Sequence, residues 1–247
     1  IDDGKVKLQV TEKDEDRLTA LVIEGGIVSN FKGVNLPVTP IRLSTFTDKD
    51  RRFVETAVRL NIDFVALSFV ATAEDVKQVR DVLELQGSQA KIVSKIERQM
   101  AVDNIQGIIQ ASDAIMVARG DLGVEIGVEN VPRVQKMIVL ESNRHLKPVI
   151  VATQMLETMI HQRTATRAEV SDVANAIYDH CDAVMLSGET AVGIDPVNVV
   201  RVMKNIAYAS DQHLNVMKRQ GSHADPQFSV NSIPVSICKS ADRIAED

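Results

Sequence analysis

The chain has 247 residues, 45% of them hydrophobic and 25% charged, with 12 Gly and 7 Pro; this is ordinary for a folded globular protein and excludes collagen-like, low-complexity and mostly disordered classes. Its 28 Lys and Arg against 34 Asp and Glu leave a net charge of -6, the opposite of the footprint of a nucleic-acid or anionic-membrane binder. Its longest apolar runs, such as Phe64 to Ala71, fall far short of the ~18 residues of a membrane helix, so no membrane partner is expected.

At the N-terminal end Ile1-Asp2-Asp3-Gly4 reads as the middle of a β structure, so the chain is expected to be a piece of something longer. Val6, Leu8 and Val10 alternate with polar residues, as do Leu18, Ala20 and Val22 before Gly25-Gly26, which predicts a small antiparallel β piece. Pro37 and Pro40 mark a linker, and a domain boundary is expected near Leu43. Beyond it come five short apolar runs: Phe64 to Phe69, Ile92 to Ile96, Ala114 to Ala118, Val149 to Thr153 and Ala183 to Leu186. Their length and content predict buried parallel strands.

Helical patterns separate them. Val76, Val79 and Leu83 follow the cap Thr72, Val134, Met137 and Ile138 follow Pro132, and Val170, Val173, Ala174 and Ile177 form a third stripe. Repeated βα units give a doubly wound sheet or a (β/α)8 barrel, and the lack of G-x-G-x-x-G after the first strand weighs against a dinucleotide fold. From Gln220 to Pro234 the chain turns polar and loop-like, and Ser236 to Asp247 reads as the opening helix of a further domain. Cys181 and Cys238 have no C-x-x-C spacing, which fits a reducing, cytoplasmic setting rather than a disulfide framework or a zinc knuckle.

Polar residues at the C-terminal ends of barrel strands are where chemistry is found. The strand at Ile92 runs into Ser94-Lys95-Ile96-Glu97, and a period of two puts Lys95 and Glu97 on one face. The next strand ends in Arg119-Gly120-Asp121, where Gly120 permits close approach of backbone and Asp121 offers a second carboxylate. Two carboxylates from adjacent strands, with waters and a phosphate, suit Mg²⁺. If Arg119 to Asp121 open a helical turn, their N–H groups also suit an anion. Each feature alone has a plain structural reading: a solvated ion pair for Lys95 and Glu97, a turn for Gly120-Asp121, a helix cap for Thr153.

Taken together, four strings resemble the pyruvate kinase family in order: Ile92-Val93-Ser94-Lys95-Ile96-Glu97, Met116 to Glu125 with Ala118-Arg119-Gly120-Asp121-Leu122-Gly123, Val151-Ala152-Thr153-Gln154-Met155-Leu156-Glu157, and Met185-Leu186-Ser187-Gly188-Glu189-Thr190-Ala191. Lys32-Gly33-Val34-Asn35-Leu36-Pro37 and Thr166 to Ala176 extend the resemblance over essentially the whole chain. It implies a partial (β/α)8 (TIM) barrel with a remnant of a small β lid domain: residues 1–43 the end of the lid, 44–222 the second half of the barrel, 223–247 the start of a C-terminal α/β domain.

The implied reaction is phosphoryl transfer from phosphoenolpyruvate to ADP, giving pyruvate and ATP, with Mg²⁺ and K⁺ as cofactors and a homotetramer as the full-length assembly. The resemblance matches Lys95 to the transition-state lysine, Glu97 and Asp121 to the Mg²⁺ carboxylates, and Gly120, Asp121 and Thr153 to the cradle of the substrate carboxylate. Ser187, Glu189 and Arg119 are secondary candidates. The K⁺ ligands and most nucleotide contacts are expected outside this chain, which is expected to be inactive by itself.

Some positions depart from the family's pattern: Ala71 and Thr72 stand where a basic residue is common, Ala165 in place of a Pro, and Val192 in place of a Lys or Asn. Two other readings are a Mg²⁺-dependent aldolase or lyase acting on a 2-oxo acid, and a non-catalytic remnant that serves as a binding module.

Overall fold

The computed structural model describes residue 1, residues 4–36 and residues 46–219. The expected boundary near Leu43, Cys238 and the polar tail with its closing helix lie outside the described residues.

A hairpin opens the chain, with β1 (Lys7–Lys13) antiparallel to β2 (Leu18–Glu24). The alternation marks both strands, yet Leu8, Val10 and Val22 stay 46%, 51% and 58% exposed, so the pattern gives the strands without a buried face. Then come α1 (Asp48–Arg59), β3 (Phe64–Leu67), α2 (Ala73–Leu85), β4 (Lys91–Ile96), α3 (Gln99–Asp103), α4 (Ile105–Ala111) and β5 (Ala114–Ala118). The chain continues through α5 (Arg119–Ile126), α6 (Val131–Arg144), β6 (Val149–Ala152), α7 (Arg167–Tyr178), β7 (Ala183–Met185), α8 (Gly188–Ala191) and α9 (Pro196–Arg219).

Local chemistry accounts for the helix starts. Asp75 accepts the Ala71 and Thr72 N–H groups at 2.9 and 2.8 Å ahead of α2, and Thr166 and Glu169 form a reciprocal capping box at α7. A proline stands in the first positions of α6, where its missing N–H costs nothing. The expected strands all form, one or two residues shorter at their C-terminal ends in β3, β6 and β7.

The sheet order β3-β4-β5-β6-β7 equals the chain order, and every pairing is parallel. A doubly wound sheet reverses its order at a switch point, which puts helices on both faces. No reversal occurs here, so the helices lie on one face and the other is left as a barrel interior.

The two faces are packed accordingly. Ile92, Ile96, Ile115, Val117, Val149 and Val151 face the helices in the main core, which includes Val76, Ile108, Ile138 and Val173. The alternate residues Val93, Ala114, Met116 and Ala152, with Ile150 and Met185, form a second, smaller cluster. Register keeps like with like: Val93 pairs with Ala114, Lys95 with Met116, and Ala118 with Ala152. The chain therefore builds five consecutive strands of a (β/α)8 barrel, as the βα rhythm and the resemblance implied.

Candidate active site

Lys95 lies on the interior face of β4, in step with Val93, while its neighbours Ser94 and Ile96 are buried on the helix side. Its Nζ lies 2.6 Å from Glu97 Oε1 and donates to Ser68 Oγ at 3.1 Å. Lys95 and Glu97 thus do share one wall, as the period of two predicted. The pair is not a solvated one, because Glu97 is 1% exposed.

The other Glu97 oxygen accepts the Phe69 N–H at 2.6 Å. Phe69 lies two residues past the end of β3 with φ of 54°, a left-handed conformation that aims its N–H across to β4. Burial pushes the Glu97 carboxyl above its usual range; Lys95 and the Phe69 N–H oppose this, and the charge of Asp121 adds to it. Asp121, in the first turn of α5, lines the same cavity as Glu97, and its Oδ1 accepts a bond from Asn35 Nδ2 at 3.4 Å. A divalent cation between the two carboxylates would offset their repulsion, so the donor set fits one. Among the described residues no third His, Cys, Asp or Glu joins them.

The third wall is the end of β6. Thr153 and Gln154 follow the strand with φ of 71° and 51°, and Thr153 Oγ1 accepts the Gly120 N–H at 2.8 Å. The turn at Arg119 is indeed the start of a helix, α5. Two of the expected cradle groups are therefore bonded to each other, and Thr153 caps no helix of its own. A Cβ on Gly120 would lie 3.6 Å from Thr153 Oγ1, so the bare glycine keeps that hydroxyl uncovered. The site opens into a cavity of about 760 Å³ lined by Asn35, Phe46, Phe64, Ser68, Glu97, Arg98 and Asp121.

The secondary candidates stand differently. Arg119 is 9% exposed and points away from the carboxylates, into Thr153, Gln154, Gln135 and Asp172. Glu189 is fully buried and ties two loops together, accepting the Leu156 N–H at 3.0 Å and the Ser187 N–H at 2.9 Å. Ser187 is exposed.

Sequence reasoning missed Ser68, Asn35, Gln135 and Asp172 as partners. Asn35 and Asp172 do lie in the strings Lys32 to Pro37 and Thr166 to Ala176, which was the available signal.

An ammonium and two carboxylates thus stand at the C-terminal ends of adjacent parallel strands, the end of a (β/α)8 barrel where polar side chains carry the chemistry of such proteins. Residues 1–200 match the family description "Pyruvate kinase, barrel domain". The chain is 45% identical over 245 residues to a pyruvate kinase of Staphylococcus epidermidis, covering 98% of this chain and 42% of that one. It is 43% identical over 248 residues to the pyruvate kinase of Clostridium perfringens (98% of this chain, 52% of that one). With that of Sporosarcina psychrophila it shares 50% identity over 214 residues (85% and 36%). The chain belongs to the pyruvate kinase family, and it spans about half the length of the curated relatives it matches.

Proposed function

We propose that this chain carries the phosphoryl-transfer site of a pyruvate kinase, an enzyme that moves the phosphoryl group of phosphoenolpyruvate to ADP. The observation that carries this reading is the ion pair of Lys95 with the buried Glu97, 2.6 Å apart, in one site with Asp121 and the Thr153 hydroxyl. In the transfer, the bond between phosphorus and the enol oxygen breaks and a bond to the terminal phosphate oxygen of ADP forms. The enolate left behind takes up a proton at carbon and becomes pyruvate.

Charge spreads over the phosphoryl oxygens in the transition state, so placed cations matter more than covalent chemistry. Lys95 supplies one, its ammonium held by Glu97 and Ser68. Glu97 and Asp121 would hold Mg²⁺, which when bound supplies charge to the phosphate and to the developing enolate. The Thr153 hydroxyl, whose oxygen already accepts the Gly120 N–H, has its proton left to donate to the substrate carboxylate, and the Asp121 N–H joins it. Arg119 and Glu189 shape this frame from behind.

K⁺, most of the nucleotide contacts and the homotetrameric assembly belong, in this reading, to parts outside the chain. A cytoplasmic location follows from the same reading. Among the described residues no helix is long and apolar enough to cross a membrane.

The test is a substrate-dependence assay on the chain completed to the length of its relatives. Pyruvate formed from phosphoenolpyruvate only when ADP and Mg²⁺ are both present supports the kinase reading. Pyruvate released from another 2-oxo acid without ADP would favour an aldolase or lyase, and no turnover at all a binding module.

A further inference from the structure

Thr153 and Gln154 are consecutive non-glycine residues in the left-handed region, with φ of 71° and 51°. Such residues persist only where their surroundings over-determine them, and they cluster at ligand sites. Here one side chain binds both carbonyls of the turn. Arg119 donates to the Thr153 carbonyl from Nη2 at 2.8 Å and Nε at 3.3 Å, and to the Gln154 carbonyl from Nη2 at 3.2 Å. Its remaining face is fixed from behind: Nη1 reaches Asp172 Oδ1 at 2.8 Å and Gln135 Oε1 at 3.3 Å, and Nη2 lies 2.8 Å from Asp172 Oδ2. With all its polar atoms committed to protein acceptors and 9% of its surface exposed, Arg119 has no donor left for a substrate.

The next residue in the chain grips the same threonine from its other end, since the Gly120 N–H donates to Thr153 Oγ1 at 2.8 Å. One dipeptide thus fixes both the carbonyl and the hydroxyl of Thr153. A change of φ there would break both bonds and turn the hydroxyl away from the Gly120 N–H, next to Asp121.

We infer that Arg119, braced by Asp172, is a positioning residue: it holds the Thr153–Gln154 turn left-handed and so aims the Thr153 hydroxyl into the anion cradle. That the occupant is the carboxylate of phosphoenolpyruvate rests on the function proposed above; the control of the turn by Arg119 does not. Lysine keeps the charge at this position but lacks the planar fork that spans two carbonyls and a carboxylate.

Two measurements test this in the chain completed to the length of its relatives. The first is a crystal structure of Arg119→Lys, in which Thr153 and Gln154 are expected to leave the left-handed region and the Gly120–Thr153 bond to be lost. Retention of the turn would overturn the inference whatever the ligand.

The second is a double-mutant cycle on phosphoenolpyruvate affinity with Mn²⁺ present, read by titration calorimetry. Arg119→Lys and Thr153→Ala are each expected to weaken binding about tenfold, and the double variant also about tenfold, because residues acting through one group are not additive. A roughly hundredfold loss in the double variant would mean that Arg119 acts independently of Thr153, and unchanged affinity in Arg119→Lys would mean that it does not act at all; either result refutes the inference. Should Arg119→Lys fail to fold, Asp172→Asn, which loosens the guanidinium without emptying its pocket, takes its place in both measurements. A wild-type protein that does not bind phosphoenolpyruvate sinks the functional reading, while the crystal structure still decides the role of Arg119.

Discussion

Replacing Lys95 by Met separates what its ammonium does for the fold from what it does for the reaction. The ammonium lies 2.6 Å from a carboxylate that is 1% exposed. Removing one partner of a buried pair costs about 3–5 kcal/mol, because the other charge is left uncompensated. Glu97 retains the Phe69 N–H at 2.6 Å, and Lys95 is itself 26% exposed, so the lower end, about 3 kcal/mol, is expected. A domain with about 5–15 kcal/mol of stability survives this loss.

For the reaction, losing a preorganised charge donor at the migrating group costs about 10²–10³ in kcat, or about 2.7–4 kcal/mol. The KM for phosphoenolpyruvate should hardly move, since the loss falls on the transition state. The double variant Lys95→Met with Glu97→Gln removes the orphaned charge, so urea melts should recover most of the stability, while a pyruvate-forming assay stays at least as slow as in Lys95→Met because a metal carboxylate is lost as well. A Lys95→Met enzyme with wild-type kcat, or a double variant whose kcat recovers along with its stability, would refute the assignment.

Three further outcomes are expected. Glu97→Gln or Asp121→Asn should raise the Mn²⁺ dissociation constant at least about tenfold, which is ~1.4 kcal/mol, as measured by electron paramagnetic resonance titration; unchanged affinity in both would place the ion elsewhere. Burial works to raise the Glu169 carboxyl, but the N–H and hydroxyl donors of Thr158 and Thr166 outweigh it and hold the group below its usual range. Its stabilisation is therefore complete above the unfolded value of about 4.3 and is lost as pH falls through the lower folded value. The melting-temperature gap between wild type and Glu169→Gln should shrink from pH 7 to pH 3, and a constant gap would count against this. Burial first, then the charges of Asp182 and Asp179, push the Cys181 thiol up to about 12, so at pH 8 iodoacetamide should label Cys181 far more slowly in the folded chain than in urea; equal rates would contradict it.

Periodicity made the frame legible because each strand carries its own signal. Ala114 to Ala118 is buried at every position and was found to the residue, and Lys95 and Glu97 fell on one face because a strand alternates strictly. The short helices α3, α4 and α8 carry too few turns for a stripe, and α5 opens on Arg119-Gly120-Asp121, which reads equally as a turn. The pairings that assemble the site were not legible from spacing. Arg119 and Asp121 sit two residues apart, and elementary electrostatics suggests that they pair. The fold instead sends the guanidinium to Asp172 and leaves Asp121 lining the cavity with Glu97, because a helix start turns residues two apart to different sides.

Backbone strain explains the rest of what the sequence concealed. Phe69, Thr153 and Gln154, at 54°, 71° and 51°, all follow the C-terminal end of a strand, β3 or β6, in the left-handed region. None is a residue type that enters that region without cost. Phe69 spends its conformation on an N–H bond to Glu97, and Thr153 on presenting its hydroxyl to the Gly120 N–H. A propensity argument assigns these positions to continuing strand, as the expected ends at Phe69 and Thr153 illustrate. The strands stop short because a residue just past each end is turned and held by a side chain distant in sequence: Glu97 for Phe69, two residues past β3, and Arg119 for Thr153, immediately past β6. The groups that bend the chain at these strand ends are thus the buried charges of the site itself, so a substitution that neutralises either one should disturb the backbone of a neighbouring strand end as well as the local charge.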